Sequence, residues 1–306
     1  MAGALVLAGL VGPAVPQGFA PRSHPAVITT ERASATPAQY WTRARMADTR
    51  DPASGAHRGA PAVSGAAGVS GVAGVSGVSG LGARWRGAGA VARSTGRVFF
   101  TLGGADYSCS GSVVDSANAS VVVTAAHCVS DGAGHWATHW IFVPGYRDGR
   151  QPYGRYPARR YFVAAGWTHG GNEADDVAFV VVKPARVDGV VRPVADVVGG
   201  QRIGFGYRGT IQTAFGYPVD APYNGRQLDY CAGMGIPDPY GSADAGIECT
   251  MTEGDSGGPW FSGFDARTGS GTITGVTTFR YAGDRLELYS ADLGATARAL
   301  YERAQR

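Results

Sequence analysis

The chain of 306 residues has almost no lysine: Lys183 is the only one, and arginine supplies the rest of the 27 basic residues. The net charge is only +3, and no stretch gathers basic residues into a run. Proteins that bind nucleic acid neutralise several phosphates with such residues, so the composition predicts no nucleic-acid partner. With abundant alanine, glycine and valine, the use of arginine instead of lysine indicates a GC-rich bacterial genome.

Long apolar runs and metal-binding cysteine pairs are also missing. Residues Ala4–Val15 form an apolar stretch that is too short to span a bilayer. The small-residue site Gly18–Ala20 follows it, and together they predict a secretory signal peptide over residues 1–20. No C-x-x-C pair is present, which argues against a structural zinc site. Four cysteines allow three pairings and suit an exported protein; they are Cys109, Cys128, Cys231 and Cys249.

Residues 21–93 have the composition of a propeptide-like segment followed by a linker. The first part is polar and rich in arginine, and residues 40–46 predict one short helix. Val63–Gly80 is a nearly uncharged Gly-Val-Ser-Gly repeat, which has too little apolar surface to offset the entropy of folding. Two interpretations remain open for the first part: a propeptide that assists or restrains folding, or a disordered tether.

Beyond residue 93 the pattern changes to short apolar runs separated by Gly, Pro, Asn and Asp. Such spacing predicts an all-β barrel or sandwich. The final stretch, Ala295–Ala304, predicts a helix that packs on the second of two such barrels. The predicted strands include Val98–Leu102, Ser112–Val114, Val121–Thr124, Trp140–Val143, Tyr161–Ala164, Val177–Val182, Arg202–Phe205, Thr272–Thr277 and Glu287–Tyr289.

A serine lies in the glycine-rich segment Gly254–Pro259, which has the sequence G-D-S-G-G-P. A serine hydroxyl becomes a nucleophile when a base takes its proton and nearby donors stabilise the oxyanion. Glycines allow a tight turn, so the N–H groups of Gly254 and Ser256 can point at one spot. The segment also fits the G-x-S-x-G elbow of α/β-hydrolases, in which the histidine follows the serine. All six histidines precede Ser256, which argues against that class.

Two further motifs lie upstream of this serine. The apolar run from Val121 ends in small residues and His127, and the pair Asp175-Asp176 opens another buried run. The chain order is therefore His, Asp, Ser. This is the order found in chymotrypsin-type triads.

Together the three motifs resemble the trypsin/chymotrypsin-like serine peptidases. They are T-A-A-H-C at Thr124–Cys128, D-V-A-F-V at Asp176–Val180 and G-D-S-G-G-P at Gly254–Pro259. The resemblance extends from about Gly96 to the C-terminus and is strongest to the secreted bacterial branch that includes glutamyl-endopeptidase-like enzymes. It implies a peptidase domain over residues 94–306 with two antiparallel six-stranded β-barrels, at about 97–190 and 195–290, and a C-terminal helix.

The resemblance also implies the roles of individual residues. Ser256 is expected to be the nucleophile, His127 the general base, and Asp176 the carboxylate that orients the imidazole. Asp175 is then expected to face solvent. The oxyanion donors are expected to be the N–H groups of Gly254 and Ser256. The disulfide Cys109–Cys128 is implied as well, and Cys231–Cys249 then follows by elimination, because the family's downstream partner for Cys249 is missing.

The sequence leaves the substrate pocket less defined. Thr250 stands six residues before the nucleophile, where trypsin-like relatives carry an aspartate. The expected wall strand contains Thr277, Thr278, Phe279 and Arg280. Arg280 would attract an acidic substrate side chain and Glu287 a basic one, so no preference is assigned.

We therefore predict a secreted, monomeric serine endopeptidase, made as a zymogen, that cleaves peptide or protein substrates without a cofactor or metal. His135 and His139 have zinc-protease spacing, but Trp136 occupies the place of the catalytic glutamate. Two alternatives remain: a catalytically inactive binding protein on the same fold, and an esterase. Asp255 would be costly to bury unpaired, so we expect it to find an internal donor, either an arginine, with Arg202 and Arg208 as candidates, or backbone N–H groups.

Overall fold

The structure, a computed structural model, describes residues 26–29, 37–52, 80–284 and 286–306. The predicted signal peptide and all but the last residue of the Gly-Val-Ser-Gly repeat lie outside these ranges. Among the described residues, no helix is long and apolar enough to cross a membrane.

Strands dominate the described chain. Those up to the end of the first barrel are β1 Ala26–Thr29, β2 Gly80–Arg84, β3 Thr95–Leu102, β4 Ala105–Val113, β5 Val121–Thr124, β6 Thr138–Pro144, β7 Tyr156–Ala164 and β8 Ala178–Val182. The later strands are β9 Ala185–Val187, β10 Val190–Arg192, β11 Arg202–Ile203, β12 Ile211–Gly216, β13 Asp229–Met234, β14 Ile236–Pro237, β15 Ala245–Glu248, β16 Pro259–Asp265, β17 Ser270–Phe279 and β18 Glu287–Asp292.

Helices are few and mostly one turn long. They are α1 Pro37–Tyr40, α2 Arg43–Ala47, α3 Ala90–Ser94, α4 Ala165–Thr168, α5 Val194–Val198 and α6 Ala295–Ala304. Two 3-10 turns, Ala126–Cys128 and Glu173–Asp175, follow β5 and precede β8.

Six antiparallel strands close into the first barrel. Their order is β7-β6-β3-β4-β5-β8, and β8 pairs with β7 to complete the ring. In β5, Val122 packs inside the cluster formed by this barrel, whereas Val121 and Val123 belong to the cluster shared with the rest of the molecule. Successive side chains of a strand point to opposite faces. Because both faces of β5 are buried, its sequence is a continuous apolar run.

The second sheet curls into a half-barrel. Its strands follow the order β14-β15-β18-β17-β16-β12-β13-β2, and β11 adds to β17 in parallel. Trp260 and Leu288 belong to a separate buried cluster within this sheet. The expected chymotrypsin-like all-β architecture is confirmed, with one closed barrel and one more open sheet.

The C-terminal helix α6 has the predicted bounds but a different neighbour. It contacts β7 and β8 of the first barrel, and Tyr301 lies 5.7 Å from Phe179, centroid to centroid. The amide of Asn118 donates to the Ala304 carbonyl at 2.7 Å. The expectation that this helix packs on the second barrel is therefore wrong for its main contacts, although Tyr301 also lies 5.5 Å from Phe205, which follows β11 of the second sheet. Its buried face, which includes Leu300, covers the outer side of β8 instead.

Residues 37–52, which we call the docking segment, pack on the first barrel. Trp41 and Met46 are almost completely buried, and the indole N–H of Trp41 donates to the His139 carbonyl at 2.6 Å. The single helix predicted at 40–46 is here two short helices, α1 and α2, because Trp41 turns into the barrel between them. Further along the chain, β2 pairs with β13 of the second sheet.

Two disulfides join Cys109 to Cys128 and Cys231 to Cys249, the pairing expected from the sequence. The first ties β4 to the turn that carries His127. Each closes a loop of similar length, with sequence separations of 19 and 18 residues.

Replacing both cysteines of one bridge by alanine is expected to lower the free energy of unfolding by about 3 kcal/mol, the loop-entropy value for such lengths. Urea unfolding of the two double mutants tests this. The losses in stability should be similar, whereas turnover should fall more for C109A/C128A, because that bridge holds the His127 turn. Equal loss of turnover in both mutants would contradict a positioning role for Cys109–Cys128.

Candidate active site

The Ser256 loop connects the end of β15 to β16 and lies against the first barrel. The Ser110 N–H donates to the Ser256 carbonyl at 2.8 Å, and the Ser110 hydroxyl donates to the Gly254 carbonyl at 2.9 Å. Gly257 has φ +77°, and a Cβ there would lie 2.1 Å from Thr124 Oγ1. Only glycine allows this backbone conformation at so close an approach. The loop is therefore fixed beside the end of β5.

His127 lies in the 3-10 turn that follows β5, three residues after the end of that strand. Asp176 makes two hydrogen bonds to it: Oδ1 accepts from the His127 backbone N–H at 2.9 Å, and Oδ2 lies 2.8 Å from Nδ1. The two side chains are only 12% and 8% exposed. Because β5 and β8 are paired neighbours, a residue after β5 and a residue before β8 meet at one edge of the barrel.

The neighbouring carboxylate points elsewhere. Asp175 accepts a hydrogen bond from the Asn172 amide at 3.0 Å and lies close to the Gly166 backbone. It is 8% exposed, so the expectation that Asp175 faces solvent is wrong. The 3-10 turn at Glu173–Asp175 turns it inward toward α4. The sequence pattern does not predict the burial of Asp175, because this residue lies outside the predicted strand.

Electrostatics favour the charged form of His127. Burial by itself would lower its pKa, but the charge and hydrogen bond of Asp176, with the charges of Asp51 and Asp255, raise the pKa above the ordinary value. Its Nε2 is buried and has no hydrogen-bond partner within the described part of the chain. Ser256 is 4% exposed, and its carbonyl oxygen lies 3.8 Å from Cys128 Sγ. The backbone of the serine therefore lies against the disulfide-bonded cysteine that follows His127.

A residue that the sequence did not predict for the site accepts a hydrogen bond from one of the two expected oxyanion donors. The Gly254 N–H donates to the Asp51 carboxylate, which comes from the docking segment 203 residues away in sequence. Asp51 is 1% exposed. Sequence reasoning missed Asp51, because an Arg-Asp-Pro tripeptide in a polar segment carries no signal for a contact at that distance.

Asp255, next to the serine, is buried among like charges. Burial raises its pKa well above the ordinary value, the Arg280 charge opposes this shift, and the Asp51 charge adds to it. Its Oδ2 has no hydrogen-bond partner among the described residues. Of the expected arginines, Arg208 instead donates to Ser290. The charge of Arg280 and the backbone N–H of Asp255 itself are what lower the pKa of this carboxyl.

A cavity of about 190 Å³ opens beside His127. Thr278 and Phe279, predicted as pocket residues, line it together with Trp167 and Pro52. The other predicted pocket residues are engaged elsewhere. Thr250 bonds to the Leu81 carbonyl of β2, Thr277 accepts from the Trp260 indole N–H, and Arg280 donates to the Cys249 and Met251 carbonyls.

Metal binding finds little support among the described residues. One group of three potential ligands, Cys109, His127 and Cys128, lies together, but its cysteines form a disulfide and offer no thiolate. His135 pairs with Asp131 on the surface.

Comparison with known proteins agrees with this geometry. The trypsin family profile matches residues 85–291. A glutamyl endopeptidase of Bacillus licheniformis is 29% identical over 169 residues, covering 53% of this chain and 47% of that protein. The chain thus spans about half the length of the curated relative that it matches.

Two solved structures are similar over nearly their whole length. The protease Anisep from Arthrobacter nicotinovorans has a TM-score of 0.67 and 37% identity, covering 74% of this chain and 99% of that one. The thermostable serine protease AL20, from an extremophilic microorganism, has a TM-score of 0.65 and 35% identity, covering 71% and 98%. With the profile match over more than half of its residues, the chain belongs to the trypsin family of serine-type peptidases.

Proposed function

We propose that the protein is a secreted serine endopeptidase that hydrolyses peptide bonds through Ser256, His127 and Asp176. The carrying observation is the pair of hydrogen bonds that Asp176 accepts from His127, and the anchored Ser256 loop supports it. One bond fixes the backbone of the histidine and the other fixes its ring. A carboxylate bound at Nδ1 leaves Nε2 as the proton acceptor, which is the tautomer a general base needs.

In this mechanism His127 Nε2 takes the proton of the Ser256 hydroxyl as the oxygen attacks the substrate carbonyl. The tetrahedral intermediate collapses when the imidazolium gives its proton to the leaving amine, and water then hydrolyses the acyl-enzyme by the same route. Asp176 stabilises the imidazolium during both steps. The enclosed position of the pair strengthens this interaction, because charges attract more strongly away from water.

The N–H groups of Gly254 and Ser256 are proposed to stabilise the oxyanion. Gly254 already donates its N–H to a carboxylate oxygen, so its donor points into the site and is able to bind a negative oxygen. Removing one such donor typically lowers kcat a hundred- to a thousandfold, which corresponds to a loss of about 2.7–4 kcal/mol of transition-state stabilisation. The substrate would enter through the cavity at Thr278 and Phe279.

Export fits the two disulfides, since such bonds persist in oxidising compartments. We also propose that residues 21–93 are a precursor segment of the peptidase and that the mature enzyme acts as a monomer. Its substrates are peptides or proteins.

A fluorophosphonate probe tests the function directly, because it reacts with an activated serine. We expect the adduct on Ser256, located by peptide mass mapping, and none after His127→Ala. His135→Ala is the matched control, since this exposed histidine lies outside the site. Digestion of a mixed peptide library should give cuts within peptides. An unlabelled Ser256 would support a binding protein, and labelling without peptide cleavage would support an esterase.

A further inference from the structure

The docking segment is held to the first barrel by polar contacts as well as by Trp41 and Met46. The Tyr40 hydroxyl donates to the Asp106 carboxylate at 2.7 Å, and Arg45 pairs with the same carboxylate at 2.9 Å. Further along, the Ser108 N–H donates to the Arg50 carbonyl at 2.6 Å, so residue 50 runs beside β4. The next residue is therefore placed at the cleft by backbone pairing, not by a free loop.

That next residue is Asp51, and its carboxylate accepts the Gly254 N–H. Pro52 follows and lines the cavity with His127 and Thr278. Two consecutive residues of the segment thus occupy two parts of one site. Asp51 lies at the Gly254 N–H, and Pro52 lies at the cavity that opens beside His127.

Several charged groups around Asp51 affect its stability in this position. Burial and Glu253 raise the pKa of Asp220, and the charge of Asp51 raises it further. The Asp51 charge also adds to the raised pKa of buried Asp255. Like charges repel, so Asp220 and Asp255 oppose the charge of Asp51, whereas the imidazolium of His127 attracts it. The docking contacts elsewhere in the segment help to hold Asp51 in this place.

We propose that the docking segment is an intramolecular inhibitor whose Asp51 carboxylate occupies the oxyanion hole. This inference rests on the roles proposed above for Gly254 and Ser256. A carboxylate oxygen on the Gly254 N–H fills the position that the oxyanion of the tetrahedral intermediate must take. Turnover then requires that Asp51 leave.

The covalent connection makes the inhibition efficient. Residues 53–79 join the segment to the domain, so Asp51 competes with substrate at the high effective concentration of a tethered ligand. Cleavage within residues 53–79 would turn the tethered inhibitor into one that dissociates.

The experiment compares four intact full-length chains: the wild type, Asp51→Ala, Asp51→Asn and Asp48→Ala. Asp48 is the matched control, because it is an exposed carboxylate of the same segment. The rate of fluorophosphonate labelling at Ser256 is measured, with mass spectrometry showing that the chains stay uncut and thermal melting showing that they fold. Asp51→Asn keeps the side-chain volume if the alanine variant folds poorly.

We expect Asp51→Ala to raise the labelling rate by roughly ten- to a hundredfold, the effect of losing one charge-assisted hydrogen bond. Asp51→Asn should rise less, since its amide oxygen can still accept from Gly254, and Asp48→Ala should match the wild type. Equal labelling of Ser256 in the wild type and both Asp51 variants would overturn the inhibitor alone. No labelling of Ser256 in any of the four chains would overturn the proposed function as well.

Discussion

Replacing Ser256 or His127 by alanine is expected to lower kcat by about a millionfold, and the double mutant should be little worse than either single mutant. The reason is that the hydroxyl is a poor nucleophile without the base, and the base has no proton to take without the hydroxyl. Residual turnover would come from substrate binding and the oxyanion donors alone. Steady-state kinetics on a cleaved peptide, with each protein purified from a host lacking other peptidases, measures the effect.

His135→Ala should keep the wild-type kcat, because its side chain is 76% exposed and pairs with Asp131. The thermal melting temperatures of the Ser256 and His127 variants should stay close to that of the wild type. If the two single effects multiplied in the double mutant, Ser256 and His127 would be acting independently, and a shared mechanism would be excluded.

The second large effect concerns the adjacent carboxylates. Asp176→Asn is expected to lower kcat by about ten-thousandfold, because an amide at His127 Nδ1 favours the wrong tautomer and no longer stabilises the imidazolium. Asp175→Asn changes the same atoms one residue away, where the carboxylate binds Asn172 instead. It should leave turnover close to the wild-type value. A loss of similar size in both variants would contradict the assignment of Asp176.

The pH profile of kcat/KM separates two effects of Asp176, which are the orientation of the His127 ring and the stabilisation of its charge. The neutral imidazole is the active base, so kcat/KM should fall as the pH drops through the pKa of His127. Although burial lowers it, Asp176 raises this pKa above the ordinary value of about 6.5, and the acid limb should lie correspondingly higher. Removing the Asp176 charge should move that limb to lower pH. Asp175→Asn should leave the limb where it is.

Much of the site was encoded locally. The run Val121–Thr124 is a strand with those bounds, and His127 follows it in a tight turn. The glycines of the Ser256 loop specify a backbone that no other residue adopts at that packing distance. Such features are fixed by neighbours in sequence, so a motif is sufficient to predict them. The family resemblance supplied the pairing of Cys109 with Cys128, and elimination left Cys231 with Cys249.

Contacts between distant segments were decided only by the tertiary structure. Both aspartates before β8 are buried, and the turn at Glu173–Asp175 determines which one meets His127. The helix α6 could have covered either sheet, because an apolar helix face does not specify which apolar surface it packs against.

The docking segment is the clearest case. Its composition predicted a tether or a propeptide, yet Trp41 and Met46 are buried in the first barrel and Asp51 reaches the Gly254 N–H. The sequence by itself determined the strands, the order of the three motifs and the local turns. Only the tertiary structure brings Asp51 and Gly254, 203 positions apart, into contact, because the docking segment and the Ser256 loop both pack against β4.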